Sequence, residues 1–487
     1  MGLTTPQDGF GVYASKLRKV RAIIRGKDAL LEMQDCLCQP QYSQTNEVAR
    51  QRKIAYFSRG QLFPATARTD VSLTGMIWSK EPVSELAPQL EYLTDNADGE
   101  GCGLRDVMQD VSDDVIPLGR YFVLVDMPMQ DTDESGNPIP PTRAQQENGQ
   151  FAPRLIQYKP EQVFYTRTGG NKCSLQEVRL SEVVSVQNDK SQFDWEDKIY
   201  TRRLVLIDGI YHNQRFDESD KIISDVIPIA NGSPLNYIPG VIFGSDANTA
   251  EISKIPLLDL ANLNEGHFML DCDNRENLHF HGQGMTNVYT SMSGEEFNEL
   301  NPNGLDVGAK GKNMLGTDDR VEILQIAATG AIAEEMMRDE KRMIASGAQL
   351  VQNTNTNVTL GAKEMEFGAS TSSLKRSAHN LTSGANTLLM YVSDFLNVSQ
   401  VSTYTLNSDF VTDDMSPQMI AEHLKSVQAG VMPRESYYQT ARDVGFTNED
   451  DETLKQQLED ESLDFADGMS EQDAISKAAI QESSGEE

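Results

Sequence analysis

Seven apolar residues in the last third of the chain, Leu374, Ala378, Leu381, Ala385, Leu388, Val392 and Phe395, recur at steps of 4, 3, 4, 3, 4 and 3. A mean step of about 3.5 lays one continuous stripe along a helix. A strand would need a step of two, so this segment folds as a helix with one face covered. The stripe sets the helix at about Ser370 to Asn397, roughly 42 Å at about 1.5 Å per residue. Such a length exceeds the usual helix of a compact domain. It suits packing against a neighbouring copy or layer. Gly384 falls mid-helix, at a local cost of about 1 kcal/mol.

Charge narrows the function classes. The 487 residues carry 42 Lys plus Arg against 74 Asp plus Glu, a net charge of −32. A protein that grips nucleic-acid phosphates over a broad face needs a basic surface, and this average surface repels polyanions. The apolar fraction of 38% is low, which fits an extended shape, large solvated faces or surfaces buried only on assembly. Five cysteines, a close pair at Cys36 and Cys38 and three scattered at Cys102, Cys173 and Cys272, make no disulfide framework and point to a reducing compartment. No run approaches the roughly 20 apolar residues of a membrane span, and the first residues lack the basic-then-apolar pattern of a secretory signal. Length alone suggests about three domains.

Along the chain, residues 1–60 read as helical, with one basic stretch: Lys16, Arg18, Lys19, Arg21, Arg25 and Lys27. It is either a solvated helix face or a contact for an acidic neighbour, such as another copy of this chain. Leu86–Leu93 suggests a short helix, and Leu104–Leu118 a longer one ended by Gly119. Tyr121–Asp126, Leu155–Tyr158, Glu177–Val186, Leu204–Ile207 and Val241–Phe243 are strand candidates. Residues 131–153 read as an exposed loop. The first 250 residues therefore look α+β. Pro256 suits the first turn of a helix running to about Asn277. Short strands and turns are expected over 278–326, a helix over 331–350, and a charge-free loop rich in Asn and Thr over 352–362. A strand at Val401–Leu406 precedes two small helices, opened by Ser416-Pro417 and by Pro433. From Glu449 onward, fourteen acidic residues face two lysines, which predicts a short helix and then disorder.

Motifs of chemistry are sparse. No G-x-x-x-x-G-K-S/T phosphate loop and no G-x-S-x-G elbow occur. Asp95–Gly101 imitates a calcium loop around Gly99, but Thr94 and Arg105 fall where acidic ligands belong, so it reads as a surface turn. His279 and His281 would share one face of a strand; zinc would need two further ligands, and Cys272 and Asp273 nearby do not make a convincing set. The Cys36-Leu37-Cys38 pair reads as structural. Two tryptophans, Trp78 and Trp195, are too few for a base-stacking platform. We expect no enzyme, no metal and no cofactor.

The order of motifs in the C-terminal half resembles the portal proteins of tailed bacteriophages. Ile255-Pro256-Leu257-Leu258-Asp259-Leu260-Ala261-Asn262-Leu263-Asn264 resembles the opening of that family's first stem helix. Leu278–Gly284 resembles the strand and turn entering the clip, Met343–Ala348 the end of the second stem helix, and Thr371–Leu374 the start of the long helix after the tunnel loop. Gln428–Ser436 resembles the link between crown helices, with Met432-Pro433 in place of the usual hydroxyl residue. Upstream, Asn96–Gly101 and Pro117–Tyr121 resemble an N-terminal stretch of one subgroup. The likeness spans roughly residues 50–450.

The resemblance implies an α+β portal fold. An N-terminal region with an α/β wing would span 1–254, the first stem helix 255–277, a small β/α clip 278–328, and the second stem helix 329–350. The tunnel loop would span 351–369, the long helix and return strand of the wing 370–415, and the helical crown with the acidic tail 416–487. It implies a ring, usually of twelve copies, at one capsid vertex. Double-stranded DNA would be pumped in by a separate large terminase and leave at infection. A head-tail adaptor and the major capsid protein or scaffold would be further partners. The location would be the virion, after assembly in the host cytoplasm, with no membrane involved. On this reading Asn353, Thr354, Asn355, Thr356, Asn357 and Lys363 would approach the DNA, and an acidic lumen would keep it from sticking. Leu374, Ala378, Leu381, Leu388, Val392 and Phe395 would pack the long helix around the ring. The alternatives are another minor head or adaptor protein, or an acidic soluble enzyme with an unrecognised site.

Overall fold

The structure is a computed structural model that describes residues 2–33, 37, 47–128, 151–170, 174–187, 193–282, 285–302, 318–324, 330–346 and 360–410, with positions 425 and 453. At 48, 280–282, 285–286, 323–324 and 360–371 it describes the backbone alone. The chain divides into Met1–Ser408 and Asp409–Glu487. The crown helices and acidic tail expected over 416–487 lie outside the described residues.

Four helices come first: α1 (Phe10–Arg25), α2 (Lys27–Glu32), α3 (Glu47–Arg59) and α4 (Ala65–Ile77). α1 places Tyr13, Leu17, Val20 and Ile23 on one buried face, the helical period expected of a core-facing element. Strand β1 (Val83–Glu85) and a tight turn of helix at Pro88–Thr94 lead to α5 (Leu104–Leu118). Gly119, at φ 83°, closes α5 and donates its N–H to Val115 O at 2.9 Å, a left-handed cap that favours glycine.

Ten strands follow among the described residues: β2 (Arg120–Asp126), β3 (Arg154–Tyr158), β4 (Val163–Thr168), β5 (Leu175–Gln187), β6 (Trp195–Ile207), β7 (Ile210–Phe216), β8 (Ile222–Val226), β9 (Ile229–Ala230), β10 (Ser233–Pro234) and β11 (Gly240–Gly244). The order β11–β2–β3 makes one antiparallel sheet and β4–β5–β6–β7–β8 another. A second core lies between them, built on Phe122, Leu124, Val178, Leu180, Leu204 and Ile242. The strands anticipated near 121, 155, 177 and 241 are present. β6 begins at Trp195 rather than Leu204, and β4, β7 and β8 were not anticipated. These strands bury polar side chains such as Arg202, Asn213 and Gln214, so they lack the apolar alternation that marks a strand in sequence.

The remaining elements are α6 (Leu258–Gly282), β12 (Met285–Tyr289), α7 (Gly294–Leu300), β13 (Arg320–Leu324), α8 (Ala331–Ser346), α9 (Leu360–Leu396) and β14 (Thr403–Thr405). The fold is α+β. β14 pairs antiparallel with β1, with Val83 opposite Thr405, so the last described strand of this unit is paired with the first. The expected helix 255–277 starts three residues later and runs on through 282, which makes His279-Phe280-His281 helical rather than strand. A two-residue spacing does not return to the same face of a helix.

Candidate functional site: a hairpin on two helices and the long helix after it

α6 is held at its base by the N-terminal helices through polar contacts as well as apolar ones. Asn264 is fully buried; its Oδ1 accepts from Thr66 N and Thr66 Oγ1 at 3.2 and 2.9 Å, and its Nδ2 donates to Phe63 O at 2.8 Å. Asp271 accepts from Gln61 N at 2.6 Å and Arg275 Nε at 2.7 Å. Tyr56 donates to Asp273 at 2.7 Å, and Arg59 pairs with Glu276. Each carboxylate is thus met by a donor, the condition on which a half-buried charge is tolerated. α8 returns along α6: Met343 is buried among Leu260, Ala261 and Phe268, and His267 Nε2 lies 3.4 Å from Glu340.

Between these helices stands the hairpin β12–β13, in register from Met285↔Leu324 to Tyr289↔Arg320. α7 is inserted between its strands. Ser293 caps α7: its Oγ accepts from Glu296 N at 3.2 Å while Glu296 accepts from Ser293 N at 3.0 Å. That reciprocal pair satisfies two donors at a helix start. Glu295 and Glu296 sit in the first turn, where the helix dipole favours negative charge.

α9 is the longest helix described, 37 residues. The seam Leu374, Ala378, Leu381, Ala385, Leu388 and Val392 is buried, and Phe395 packs half-buried on the second core. It is buried inside its own chain, chiefly against β11. At Gly384, an added Cβ would stand 2.2 Å from Cε1 of Phe243. Asn380 donates to Gly244 O at 3.0 Å, and Asn248 donates to Asn380 O at 2.8 Å. Of the residues expected to pack the long helix around a ring, Leu374, Ala378, Leu381, Leu388 and Val392 are buried within this chain, and Phe395 is half-buried. The outward side of α9 carries Lys375, Arg376 and His379. α9 also begins ten residues before the expected start, so Lys363 belongs to its first turns and not to a loop. Asn353, Thr354, Asn355, Thr356 and Asn357 lie outside the described residues, as do Cys36 and Cys38.

The metal decoys resolve structurally. Over Asp95–Gly101, Asp98 Oδ1 accepts from Glu100 N and Cys102 N at 2.8 and 3.0 Å, and Asn96 Oδ1 accepts from Gly101 N at 3.0 Å. These backbone bonds hold the Asp98 carboxyl below its usual range. Burial pushes the Cys272 thiol up to about 12, the opposite of what a metal ligand needs. Among the described residues no group of three or more His, Cys, Asp or Glu could hold a metal ion.

One feature escaped the sequence. A cleft of about 470 Å³ between α1, α4 and α5 is lined by Asp70, Asp113, Asp114, Arg21, Arg25 and Trp78, among others. Burial and the neighbouring Asp113 and Asp114 raise the Asp70 carboxyl to about 7. Arg21 is bidentate to Asp114 at 2.7 and 3.1 Å and also meets Glu161 at 2.9 Å. The adjacent pair Asp113-Asp114 was visible in sequence, but nothing there pointed to Asp70.

Residues 256–396 match a family described as a domain of unknown function, DUF4055. That span takes in α6, the hairpin, α8 and α9. No curated protein matches. Among solved structures, the chain is similar to one in the virion of a native gene transfer agent particle, at 12% identity, covering 84% of this chain and 94% of that one, with a TM-score of 0.38. It is similar to one in the neck of the empty gene transfer agent particle computed with C6 symmetry, at 12% identity, 87% and 99% coverage and a TM-score of 0.40. It is also similar to an HK97 family phage portal protein from Corynebacterium diphtheriae, at 11% identity, 77% and 99% coverage and a TM-score of 0.30.

Proposed function

We propose that this chain is the subunit of a portal ring, a structural protein of a phage-like particle through which double-stranded DNA passes. The observation that carries the reading is one unit of architecture. A two-stranded hairpin is inserted between two packed helices and followed by a helix of 37 residues. It occupies the stretch where the sequence motifs resemble the portal stem, clip and long helix in the same order. The polar anchoring of α6 supports it: the base of the helix pair is fixed, and the hairpin stands away from both cores. Net charge adds to it, since a wall of net negative subunits repels the DNA that must slide past.

In this reading α6 and α8 are the stem and β12–α7–β13 is the clip, the docking surface for the terminase and then the tail adaptor. The segment before α9, Asn353–Asn357, is the part nearest the DNA, and the ring is seated in the capsid shell. The test is the particle itself. Mass photometry and electron-microscopy class averages of the purified chain should give a closed ring with a central hole, for twelve copies of 54.0 kDa about 650 kDa. A chain that stays monomeric at every salt and concentration refutes the proposal.

A further inference from the structure

The five-stranded sheet has two different flanks. α1 lies beside β4: Gln7 N donates to Phe164 O at 2.9 Å, and Arg21 reaches Glu161 just before that strand. β8 forms the opposite edge. β5 and β6 also outrun their neighbours. Their register continues from Ser181↔Thr201 to Gln187↔Trp195, whereas β7 pairs with β6 only as far as Thr201. Six residues of each strand therefore project as a two-stranded arm, about 20 Å long at about 3.3 Å per residue.

The arm and the β8 edge present an unpartnered apolar face. By register, Val183, Ile199, Trp195 and Ile222 point to one side of the sheet, and they are 58%, 52%, 64% and 52% exposed. These four side chains offer on the order of 400 Å² of apolar surface, close to the apolar share of a standard interface of about 800 Å² per partner. An isolated subunit leaves this surface in water, and an edge strand left open in this way invites a partner. On that side Asp197 is exposed, and the turn before β8 adds the exposed carboxylates of Glu218 and Asp220 against Lys221, while Glu196 and Lys198 alternate to the other side of the arm.

The β4 flank has the opposite character. Lys16 and Arg18 are exposed at the two margins of the outward side of α1, with no carboxylate within 4 Å among the described residues, and Val12, one turn before Lys16, is 63% exposed, whereas Arg25 lines the acidic cleft. Lys19 and Arg21, by contrast, are satisfied within the chain by Glu265 and Asp114. Lys27 donates to Ser58 O at 2.7 Å, so Lys16 and Arg18 are the members of the stretch left on the outward surface.

We propose that the β8 edge and β5–β6 arm of one copy dock on the outer face of α1 of the next copy. The inference rests on the ring reading and deepens it. A ring closes through heterologous contacts, in which two different patches of each subunit meet. The apolar and acidic flank is complementary to the basic one, whereas two copies of either flank repel. Charge also limits the alternatives: subunits at −32 each associate where the local charge is opposite.

The experiment uses the full chain and mass photometry across a concentration series. Val183→Ser with Ile199→Ser, and separately Lys16→Glu with Arg18→Glu, should raise the concentration for half-assembly by about tenfold or more. Far-ultraviolet circular dichroism and melting should stay unchanged, since all four residues are exposed. Asp197→Lys with Glu218→Lys, added to the α1 reversal, should restore assembly. Rings that form equally well in the serine and glutamate variants overturn this contact and leave the ring reading standing. Failure of the lysine pair to rescue overturns the pairing of these flanks. A wild-type chain that never assembles overturns the ring and the contact together.

Discussion

Gly384→Ala should destabilise the fold although alanine is the better helix former. In an exposed helix the exchange gains about 1 kcal/mol. Here the added Cβ would stand 2.2 Å from Cε1 and 2.7 Å from Cδ1 of Phe243, a side chain with no solvent exposure. Ordinary contact begins near 3.4 Å, so the ring or the helix must move by roughly 1 Å in a close-packed core, at about 1–3 kcal/mol. The balance is a net loss of about 1 kcal/mol. Gly266, inside α6, is the internal control. Nothing lies within 4 Å of its Cβ position, so Gly266→Ala should gain about 0.5–1 kcal/mol. Urea unfolding of wild type and both variants, at one protein concentration and with slopes compared, reads the difference as midpoints moving in opposite directions. Adding Phe243→Leu should make Gly384→Ala nearly neutral relative to that background, a coupling of about 1 kcal/mol or more. If Gly384→Ala raises the midpoint as Gly266→Ala does, the packing argument is wrong.

Asp70→Asn should flatten the pH dependence of stability. The folded carboxyl sits at about 7, above its ordinary 3.8, so the fold binds that proton more tightly than the unfolded chain. The stabilisation is full below about pH 4 and is lost as pH rises through about 7, on the order of a few kcal/mol. Melting temperatures from pH 5 to 8 should fall in wild type and stay level in the variant. Arg21→Met should cost about 3–5 kcal/mol, because it leaves Asp114 and Glu161 partly buried without their guanidinium; chemical denaturation measures it. Ser293→Ala should weaken only the inserted helix α7, by about 1 kcal/mol. Faster amide exchange over 294–300 with an unchanged global midpoint is the expected result.

The parts of the fold legible in sequence are those whose burial is purely apolar. Tyr121–Val125 and Val241–Phe243 are continuous apolar runs, and both lie in strands of the three-stranded sheet β11–β2–β3. Leu104–Leu118 carries a helical stripe and ends at a glycine that needs a left-handed turn. β7, by contrast, reads Ile-Tyr-His-Asn-Gln-Arg-Phe. Its buried Asn213 is satisfied by Arg202 at 2.9 Å, and a partner eleven positions away is invisible to a local pattern. The seam on α9 shows the same limit differently. Its period announced that one face is covered, but period carries no information about what covers it, and the cover proved to be β11 of the same chain. Of the candidate site, the hairpin between two helices was anticipated as short strands and turns. The contacts that fix α6 to α3 and α4 span about 200 positions and were not.

The pairing of β1 with β14 sets a condition on biosynthesis. Ala87 N and Ser402 Oγ, joined at 3.0 Å, are 315 positions apart. Until the last of those residues leaves the ribosome, β11 and α5 have no α9 to cover them, and at about 5–20 residues per second that interval is on the order of tens of seconds. Loop closure over such a distance also slows the final docking step. A nascent or truncated chain therefore keeps Phe243 and the β11 surface open to chaperones and proteases. Burial of the β11 surface is thereby tied to the late emergence of α9 and β14.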